Sequence, residues 1–351
     1  MAEFETLIGL VSRYSPSGQE REAVQWLVER MKSLGYEAAF IDDAGNAVGV
    51  MGQGPKQVVL LGHIDTVPGE ILVRRDAIPP REVLYGRGSV DAKGPLACFV
   101  DAVAQIGAQE GWQFVVIGAV EEERESEGAR FVADQYKPDL AIVGEPNRWD
   151  RIALGYKGSA WSVLTLKRGQ AHTASGEETA AEAAVKAWLN IRAYVDSFNA
   201  AKQRIFDQLL PTLSAIDTET KEFEQCVRLK IGVRLPVEVS PEQWYEKLET
   251  IVPDAHLERL GFALPAWTCE KNTLLVRAFL SGIRSEAGEP RFVYKTGTAD
   301  LNIVAPAWKC PAVVYGPGDS SLDHTANEHI SLHEYEKSVR VLRKVLESFA
   351  K

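Results

Sequence analysis

Unbroken apolar runs alternate along this chain with amphipathic segments, and that alternation restricts the fold more than any other feature. The run WQFVVIGAV at 112–120 is almost wholly apolar, and shorter apolar runs occupy 57–62, 139–144 and 311–316. Strands of this kind are buried on both faces, which a parallel sheet between layers of helices achieves. The sequence therefore predicts an α/β fold with a mostly parallel sheet flanked by helices.

Apolar residues at helical spacing lie between these runs and near both ends of the chain. The predicted helices cover 2–13, Ser17 to about Leu34, 92–107, a segment beginning near Ser126, and 332–349. Alternating residues also predict strands within 37–50.

The pattern changes in the middle of the chain. Half-exposed strands are predicted at 161–169 and 227–236, and helices at 177–200 and 241–252. This β-α-β-α order predicts a small α+β sandwich inserted into the first fold. The predicted domain boundaries are a metal-binding catalytic domain of 1–157 plus 271–351, and an inserted dimerisation or lid domain of 158–270.

Composition is that of an ordinary globular protein, with 351 residues, 45% hydrophobic and 25% charged. The net charge of -10 argues against nucleic-acid binding, which needs a basic footprint. No run is long and apolar enough for a membrane helix or a secretory signal, and the four cysteines form no CxxC pair. We expect a cytoplasmic protein with no membrane or nucleic-acid partner.

Five side chains that can bind metal ions follow apolar runs or flank them: His63, Asp91, Glu123, Glu145 and His324. Ligands of open α/β sheets bind at the carboxyl ends of strands, and buried carboxylates are costly unless they coordinate or catalyse. Each of these residues, taken alone, could also have a purely structural role without a metal ion. His63 and Asp65 could be a structural pair, Asp91 a helix N-cap, and 121–123 a solvated charge run. Five in one domain favour a metal-dependent hydrolase.

Two local patterns refine this hypothesis. In extended backbone, His63 and Asp65 face the same side, so Asp65 can orient the imidazole while its other nitrogen meets a metal ion. The glycine-rich stretch LYGRGSVDAKG fits neither a dinucleotide nor a P-loop fingerprint, so a phosphate loop is disfavoured.

The motifs GHIDTVP, GRGSVDAKG, the EEE run with its downstream Ser126 and Gly128, GEP and DHTANE stand in this order along the chain. Together they resemble the motifs of the dizinc aminoacylase, carboxypeptidase and deacylase family. That family includes acetylornithine deacetylase and succinyl-diaminopimelate desuccinylase. The resemblance covers nearly the whole chain.

The resemblance implies two divalent metal ions, zinc first, with cobalt or manganese as alternatives for a carboxylate-rich site. It places His63 and Glu145 on one ion, Glu123 and His324 on the other, and Asp91 between them as a bridge. Asp65 orients His63, and Glu122 is the general base. A register shifted by one residue would make Glu121 the base instead.

The resemblance also implies a homodimer, in which His172 reaches the partner's site and stabilises the oxyanion. Arg234 and the loop 295–300 are candidate contacts for a substrate carboxylate. For Arg234, an ordinary exposed strand arginine is the competing interpretation.

Three features refine the resemblance: the segment from His63 to Glu70 followed by Val73 and Arg74, the stretch LYGRGSVDAKGPLA and the loop KTGTADLN. With them, the chain most resembles the family's hydrolases that release lysine or ornithine from an amino-group carrier protein. These cut the amide between the carrier's terminal glutamate side chain and the α-amino group of the amino acid, in lysine or arginine biosynthesis. Because such carriers are acidic, a local basic patch is expected, and the candidates are Arg74, Arg75, Arg81 and Lys93. The alternatives are a deacylase for small acylated amino acids, such as acetylornithine deacetylase or succinyl-diaminopimelate desuccinylase, and a non-catalytic binding protein.

Overall fold

The computed structural model describes residues 4–78, 81–172 and 174–349. Its strands, in chain order, are β1 (Ala38–Ile41), β2 (Ala47–Met51), β3 (Lys56–His63), β4 (Arg74–Ile78), β5 (Arg81–Tyr85), β6 (Trp112–Ala119), β7 (Leu140–Gly144), β8 (Arg151–Tyr156), β9 (Gly158–Gly169), β10 (Leu210–Lys221), β11 (Glu224–Leu235), β12 (His256–Leu264), β13 (Trp267–Thr268), β14 (Arg291–Lys295), β15 (Ala312–Val314) and β16 (His329–Ser331). Its α-helices are α1 (Glu5–Val11), α2 (Arg21–Ser33), α3 (Lys93–Ile106), α4 (Glu127–Gln135), α5 (Ala180–Asn199), α6 (Pro241–Ile251), α7 (Leu274–Ser285), α8 (Leu301–Trp308) and α9 (Leu332–Glu347).

The chain forms two compact units. The first contains Met1–Gly155, Cys269–Tyr294 and Ala299–Lys351, and the second contains Tyr156–Thr268 and Lys295–Thr298. The insertion predicted from sequence was 158–270. The short segment Lys295–Thr298, which the sequence analysis placed in the catalytic domain, groups instead with the second unit.

The sheet of the first unit runs in the order β1-β2-β6-β3-β7-β15-β8. Its central strands β6, β3, β7 and β15 are parallel, whereas β1, β2 and β8 pair antiparallel at the two sides. The apolar runs noted above form the central strands, whose side chains are buried on both faces. The predicted α/β fold with a mostly parallel sheet is confirmed.

Helix α3 lies close to the centre of this sheet because three glycines face it. Gly62 pairs with Gly118 on one side and Gly144 on the other, which makes a row across three strands. A Cβ on Gly118 would lie 3.1 Å from the Leu96 side chain, and a Cβ on Gly144 would lie 2.9 Å from the Phe99 ring. The row therefore lets α3 approach the sheet, and the loop that leads into α3 carries Asp91 to the carboxyl edge of the sheet.

The second unit is a four-stranded antiparallel sheet in the order β10-β11-β9-β12, with α5 and α6 packed on its apolar face. Capping boxes begin both helices, at Thr179 with Glu182 and at Ser240 with Gln243. The predicted β-α-β-α order omitted β10 and β12. These are the two edge strands, and none of their residues is buried, so the hydrophobic pattern is weak there.

Several further elements were not predicted from the sequence. They are the β4–β5 hairpin, β8, α7, β14, α8 and β16. All four cysteines are free thiols. Among the described residues, no helix has the length and apolarity needed to span a bilayer.

We expect Leu60→Ala, in the centre of β3, to lower the free energy of unfolding by about 2–5 kcal/mol, because the side chain is fully buried and its loss leaves a cavity. Leu72→Ala is the matched control, since Leu72 is 79% exposed and should change stability by less than about 0.5 kcal/mol. Calorimetric unfolding of both variants measures the difference. Equal transition temperatures would contradict this view of the core.

Candidate metal centre

The parallel strands bring the predicted ligands to one edge of the sheet. β3 ends at His63, which pairs with Ala119 at the end of β6, so the acidic run that follows β6 lies beside it. Gly62 pairs with Gly144, the residue directly before Glu145. The carboxyl ends of parallel strands meet at the same edge, and this geometry makes neighbours of side chains far apart in sequence.

Asp91 lies between two histidines. Its Oδ1 is 3.3 Å from His63 Nε2, and its Oδ2 is 3.1 Å from His324 Nε2. The N-cap alternative for Asp91 is wrong, because the cap residue of α3 is Ala92 and no side chain caps that helix. One carboxylate thus offers an oxygen to each side, which is the arrangement a bridging ligand needs.

His324 completes the second side of the centre. Its backbone has a φ of 60°, a left-handed conformation uncommon outside glycine, and its Nε2 lies 3.0 Å from Glu123 Oε1. Three sets of side chains place one ligand atom each within 4.8 Å of one another: His63 with Asp91 and Glu145, Asp91 with Glu123 and His324, and His63 with Glu122 and Glu123. The first two sets share Asp91.

Asp65 contacts both His63 and the acidic loop. His63 Nδ1 lies 3.1 Å from the Asp65 carbonyl oxygen and 3.3 Å from its Oδ1. Both oxygens are acceptors, so Nδ1 carries a proton and Nε2 of the neutral ring is left for a cation. The Asp65 carboxylate also accepts hydrogen bonds from the backbone N–H groups of Glu122 and Glu123 and from the Ser17 hydroxyl.

The three adjacent glutamates have different surroundings. The Glu121 carboxylate lies 3.6 Å from the Arg124 guanidinium and belongs to none of the three ligand sets. Glu122 and Glu123 both appear in a set with His63. The side chain that faces the other carboxylates of the centre is therefore Glu122 rather than Glu121.

Burial dominates the electrostatics of the carboxylates. It raises the pKa of Glu122 well above its usual range, and the neighbouring carboxylates Glu145 and Asp300 add to the effect against the charge of His63. Burial likewise raises the pKa of Glu145, with a further contribution from Asp91. For Asp91 burial acts in the same direction, but hydrogen bonds from His324 and His63 outweigh it and lower the pKa.

The pKa values of the two histidines are also raised, which for a histidine favours the charged form. Hydrogen bonds to Asp91 and Glu123 raise the pKa of His324 to about 10. Burial opposes the charge on His63, yet its hydrogen bonds to Asp65 and Asp91 raise its pKa well above the ordinary value. In the metal-free protein, protons on both rings therefore offset part of the negative charge of the clustered carboxylates.

This donor set fits two divalent cations. It consists of imidazole nitrogens and carboxylate oxygens, the ligands that zinc, cobalt and manganese accept. Four carboxylates converge on the two imidazole rings. Cations would replace the protons and stabilise the ionised forms of Glu122 and Glu145, whose pKa values are raised by burial and then by the neighbouring carboxylates.

Asp300 is a further carboxylate that acts on Glu122 and Glu145, although it was not among the predicted ligands. It lies in the loop 295–300 that the sequence analysis had noted, and its side chain is buried. Burial raises its pKa to about 7. Its Oδ1 has no hydrogen-bond partner among the described residues. Position in a polar loop was the only sequence signal for it.

Two predicted substrate contacts belong to the second unit. His172 is exposed, and its Nδ1 accepts a hydrogen bond of 3.1 Å from the Ala174 backbone N–H. Arg234 is half-buried and donates from Nη1 to Thr298 Oγ1 at 3.0 Å, within the same unit. The contacts given above for both side chains lie within the second unit, and their roles stay predictions.

The expected basic patch is smaller than predicted. Lys93 is fully buried and donates from Nζ to the Arg13 carbonyl oxygen, and burial lowers its pKa to about 7. It therefore cannot contribute to a surface. Arg74 lies 3.9 Å from the Tyr85 ring centroid, and Arg75 pairs with Glu82 at 2.8 Å. The Arg81 side chain lies outside the described residues.

Residues 59–348 match the sequence profile of Peptidase family M20/M25/M40. The chain belongs to this family. A [LysW]-lysine hydrolase from Deinococcus radiodurans is 41% identical to this M20 chain over 344 residues, which cover 96% of the chain and 94% of the relative. A [LysW]-lysine/[LysW]-ornithine hydrolase from Saccharolobus solfataricus is 27% identical over 331 residues, 94% of the chain and 91% of that protein.

A solved structure supports the fold of this M20 chain. A tripeptidase from Staphylococcus aureus superposes with a TM-score of 0.79 over 99% of the chain and 97% of its own length, at 18% identity. The predicted family and the prediction of a metal-dependent amide hydrolase are confirmed. The non-catalytic alternative is thereby disfavoured.

We expect metal affinity to rise with pH, because both histidines of the metal-free centre hold protons that a cation must displace. Each displaced proton should raise the apparent affinity about tenfold per pH unit below the pKa of the ring concerned. For His324 this dependence should persist up to a pH of about 10. Titration of metal-free protein with Zn²⁺ in buffers of different ionisation enthalpy measures the protons released. An affinity independent of pH would contradict the assignment.

Proposed function

We propose that this M20 enzyme hydrolyses the amide that joins lysine or ornithine to the carrier protein LysW. The observation that best supports this proposal is the 41% identity to the Deinococcus radiodurans [LysW]-lysine hydrolase across nearly the full length of both chains. In this proposal LysW is the acidic amino-group carrier protein that was expected from the sequence. The products are the carrier with a free glutamate side-chain carboxylate and the free amino acid, in lysine or arginine biosynthesis.

The centre would hold two divalent ions in this proposal, zinc by preference. His63 and Glu145 would hold one ion, Glu123 and His324 would hold the other, and Asp91 would be a ligand of both. The two ligand sets that share Asp91 support this division, as do the distances from its oxygens to the two histidines. When bound, the ions lower the pKa of a water molecule and polarise the scissile carbonyl.

Glu122 acts as the general base. It accepts a proton from the attacking water while the water oxygen bonds to the carbonyl carbon. As the C–N bond breaks, Glu122 returns that proton to the leaving α-amino nitrogen. Its place beside His63 and Glu123 supports this role, and the pairing of Glu121 with Arg124 argues against the shifted register. Asp65 holds both His63 and the backbone of Glu122.

The second unit supplies substrate contacts in this proposal. His172 stabilises the oxyanion across a homodimer interface, and its exposure is compatible with reaching a partner. Arg234 binds the free carboxylate of the amino acid, for which a guanidinium is suited by geometry and charge. Arg74 and Arg75 are the remaining candidates for contact with the acidic carrier. A cytoplasmic location remains the expectation from sequence.

We expect Glu122→Gln to lower kcat by about 100- to 10,000-fold, because the amide cannot take the water proton. The variant should still bind two metal ions. Glu121→Gln is the matched control in the neighbouring position, and it should keep nearly all activity. Turnover and bound metal are measured on the same preparations. Full activity in Glu122→Gln, with activity lost in Glu121→Gln, would show that the register is shifted.

A second assay tests the substrate. LysW carrying lysine or ornithine on its terminal glutamate should be hydrolysed with a much higher kcat/KM than acetylornithine or succinyl-diaminopimelate. The physical reason is that carrier contacts outside the amide contribute binding energy that a small substrate lacks. Release of free amino acid is measured by chromatography, with Glu122→Gln as the inactive control. Preference for either small substrate would overturn the carrier assignment and leave the metal chemistry in place.

A further inference from the structure

Glu328 is a buried carboxylate next to the centre that the mechanism above does not use. It is fully buried and lies four residues after His324 in the DHTANE segment. Its Oε1 accepts the backbone N–H groups of Val90 at 2.9 Å and Asp91 at 3.1 Å. Its Oε2 accepts from Arg87 Nη1 at 2.7 Å.

All of these donors come from one loop. Arg87, Val90 and Asp91 belong to the glycine-rich stretch that precedes α3, and the Gly88 backbone N–H also hydrogen-bonds to the same carboxylate. Several backbone N–H groups converging on one carboxylate form an anion-binding nest. The loop is therefore folded around the Glu328 carboxylate.

Asp91 is held on two sides by this arrangement. Its backbone N–H points to Glu328, while its side-chain oxygens point to His63 and His324. Fixing the backbone fixes where the carboxylate oxygens can reach. The segment that holds the backbone also carries His324, so the position of Asp91 is tied to the position of one of its partners.

We propose that Glu328 is a positioning residue that aims the Asp91 carboxylate at both metal positions and couples their occupancy. The inference rests on the proposed bridging role of Asp91. If Asp91 serves both ions, a shift of its backbone weakens both sites together. A ligand that served one ion would weaken that site alone.

A simple buried ion pair does not account for these contacts. The ion pair with Arg87 involves only Oε2, whereas Oε1 accepts hydrogen bonds from the backbone N–H groups of Val90 and Asp91. Asp101 offers a comparison within the same unit. It is a half-buried carboxylate of α3 that accepts hydrogen bonds from the Thr6 and Tyr335 hydroxyls, ten residues after Asp91 in the sequence.

The test is Glu328→Gln, titrated with Zn²⁺ after metal removal, in competition with a chelator. The glutamine amide cannot accept from both the loop N–H groups and Arg87, because one of its two polar atoms is itself a donor. We expect the affinities of both sites to fall together by about 10- to 100-fold, the usual effect of losing a partner that orients a ligand. Asp101→Asn is the control, which should lose thermal stability but keep the wild-type affinities.

A second variant separates metal binding from folding. Glu328→Gln leaves the Arg87 cation buried without its counter-charge, which destabilises the fold. The double variant Arg87→Gln with Glu328→Gln removes that charge and should recover thermal stability, while both metal affinities stay low. Cobalt(II) absorption spectra of the loaded variants report altered geometry at both ions without reference to activity.

The outcomes are distinct. Wild-type affinity for two ions in either Glu328 variant overturns the positioning role and leaves the proposed function intact. Loss at one site only overturns the coupling. A wild-type protein that holds fewer than two Zn²⁺ ions overturns the bridging assignment of Asp91, and with it the role given to Glu328.

Discussion

The double contact of Asp91 is the interaction on which the centre depends. His63 comes from the end of a central strand and His324 from a loop near the C-terminus, and each meets a different oxygen of this one carboxylate. Without Asp91, the two halves of the cluster would share no side-chain ligand, since Glu145 belongs to one set and Glu123 and His324 to another. Placing Asp91 is therefore the main structural requirement of the first unit.

Buried carboxylates that are not in the ligand sets hold loops of the first unit in place by accepting backbone N–H groups. Asp65 accepts from Glu122 and Glu123, and Glu328 accepts from Val90 and Asp91. Glu334 does the same for Trp149 and Gly318. Loops at a strand edge have few partners for their N–H groups, and leaving such groups buried and unpaired costs about 1–3 kcal/mol each. Each carboxylate therefore stabilises a loop while it orients the residues next to it.

The sequence predicted the strand ends and the ligand types because both have strong signals. A long apolar run must be buried, and a carboxylate or histidine directly after it is costly without a partner. Glu328 and Asp300 carried no comparable signal, since what a side chain accepts from distant backbone cannot be deduced from spacing. The edge strands β10 and β12 were missed for a different reason. None of their residues is buried, so burial imposes little hydrophobic alternation that could identify them.

The order of the chain explains why this centre requires the whole first unit. His63, Asp91, Glu123 and Glu145 precede the inserted unit, and His324 follows it. The later segment is fixed by β15, where Val314 pairs in parallel with Val143 of β7 and antiparallel with Ala153 of β8. β15 thus lies between two strands, β7 and β8, that precede it in the sequence. Because the loop carrying His324 and Glu328 follows β15, the pairing of this strand positions both the last ligand and the residue that holds Asp91.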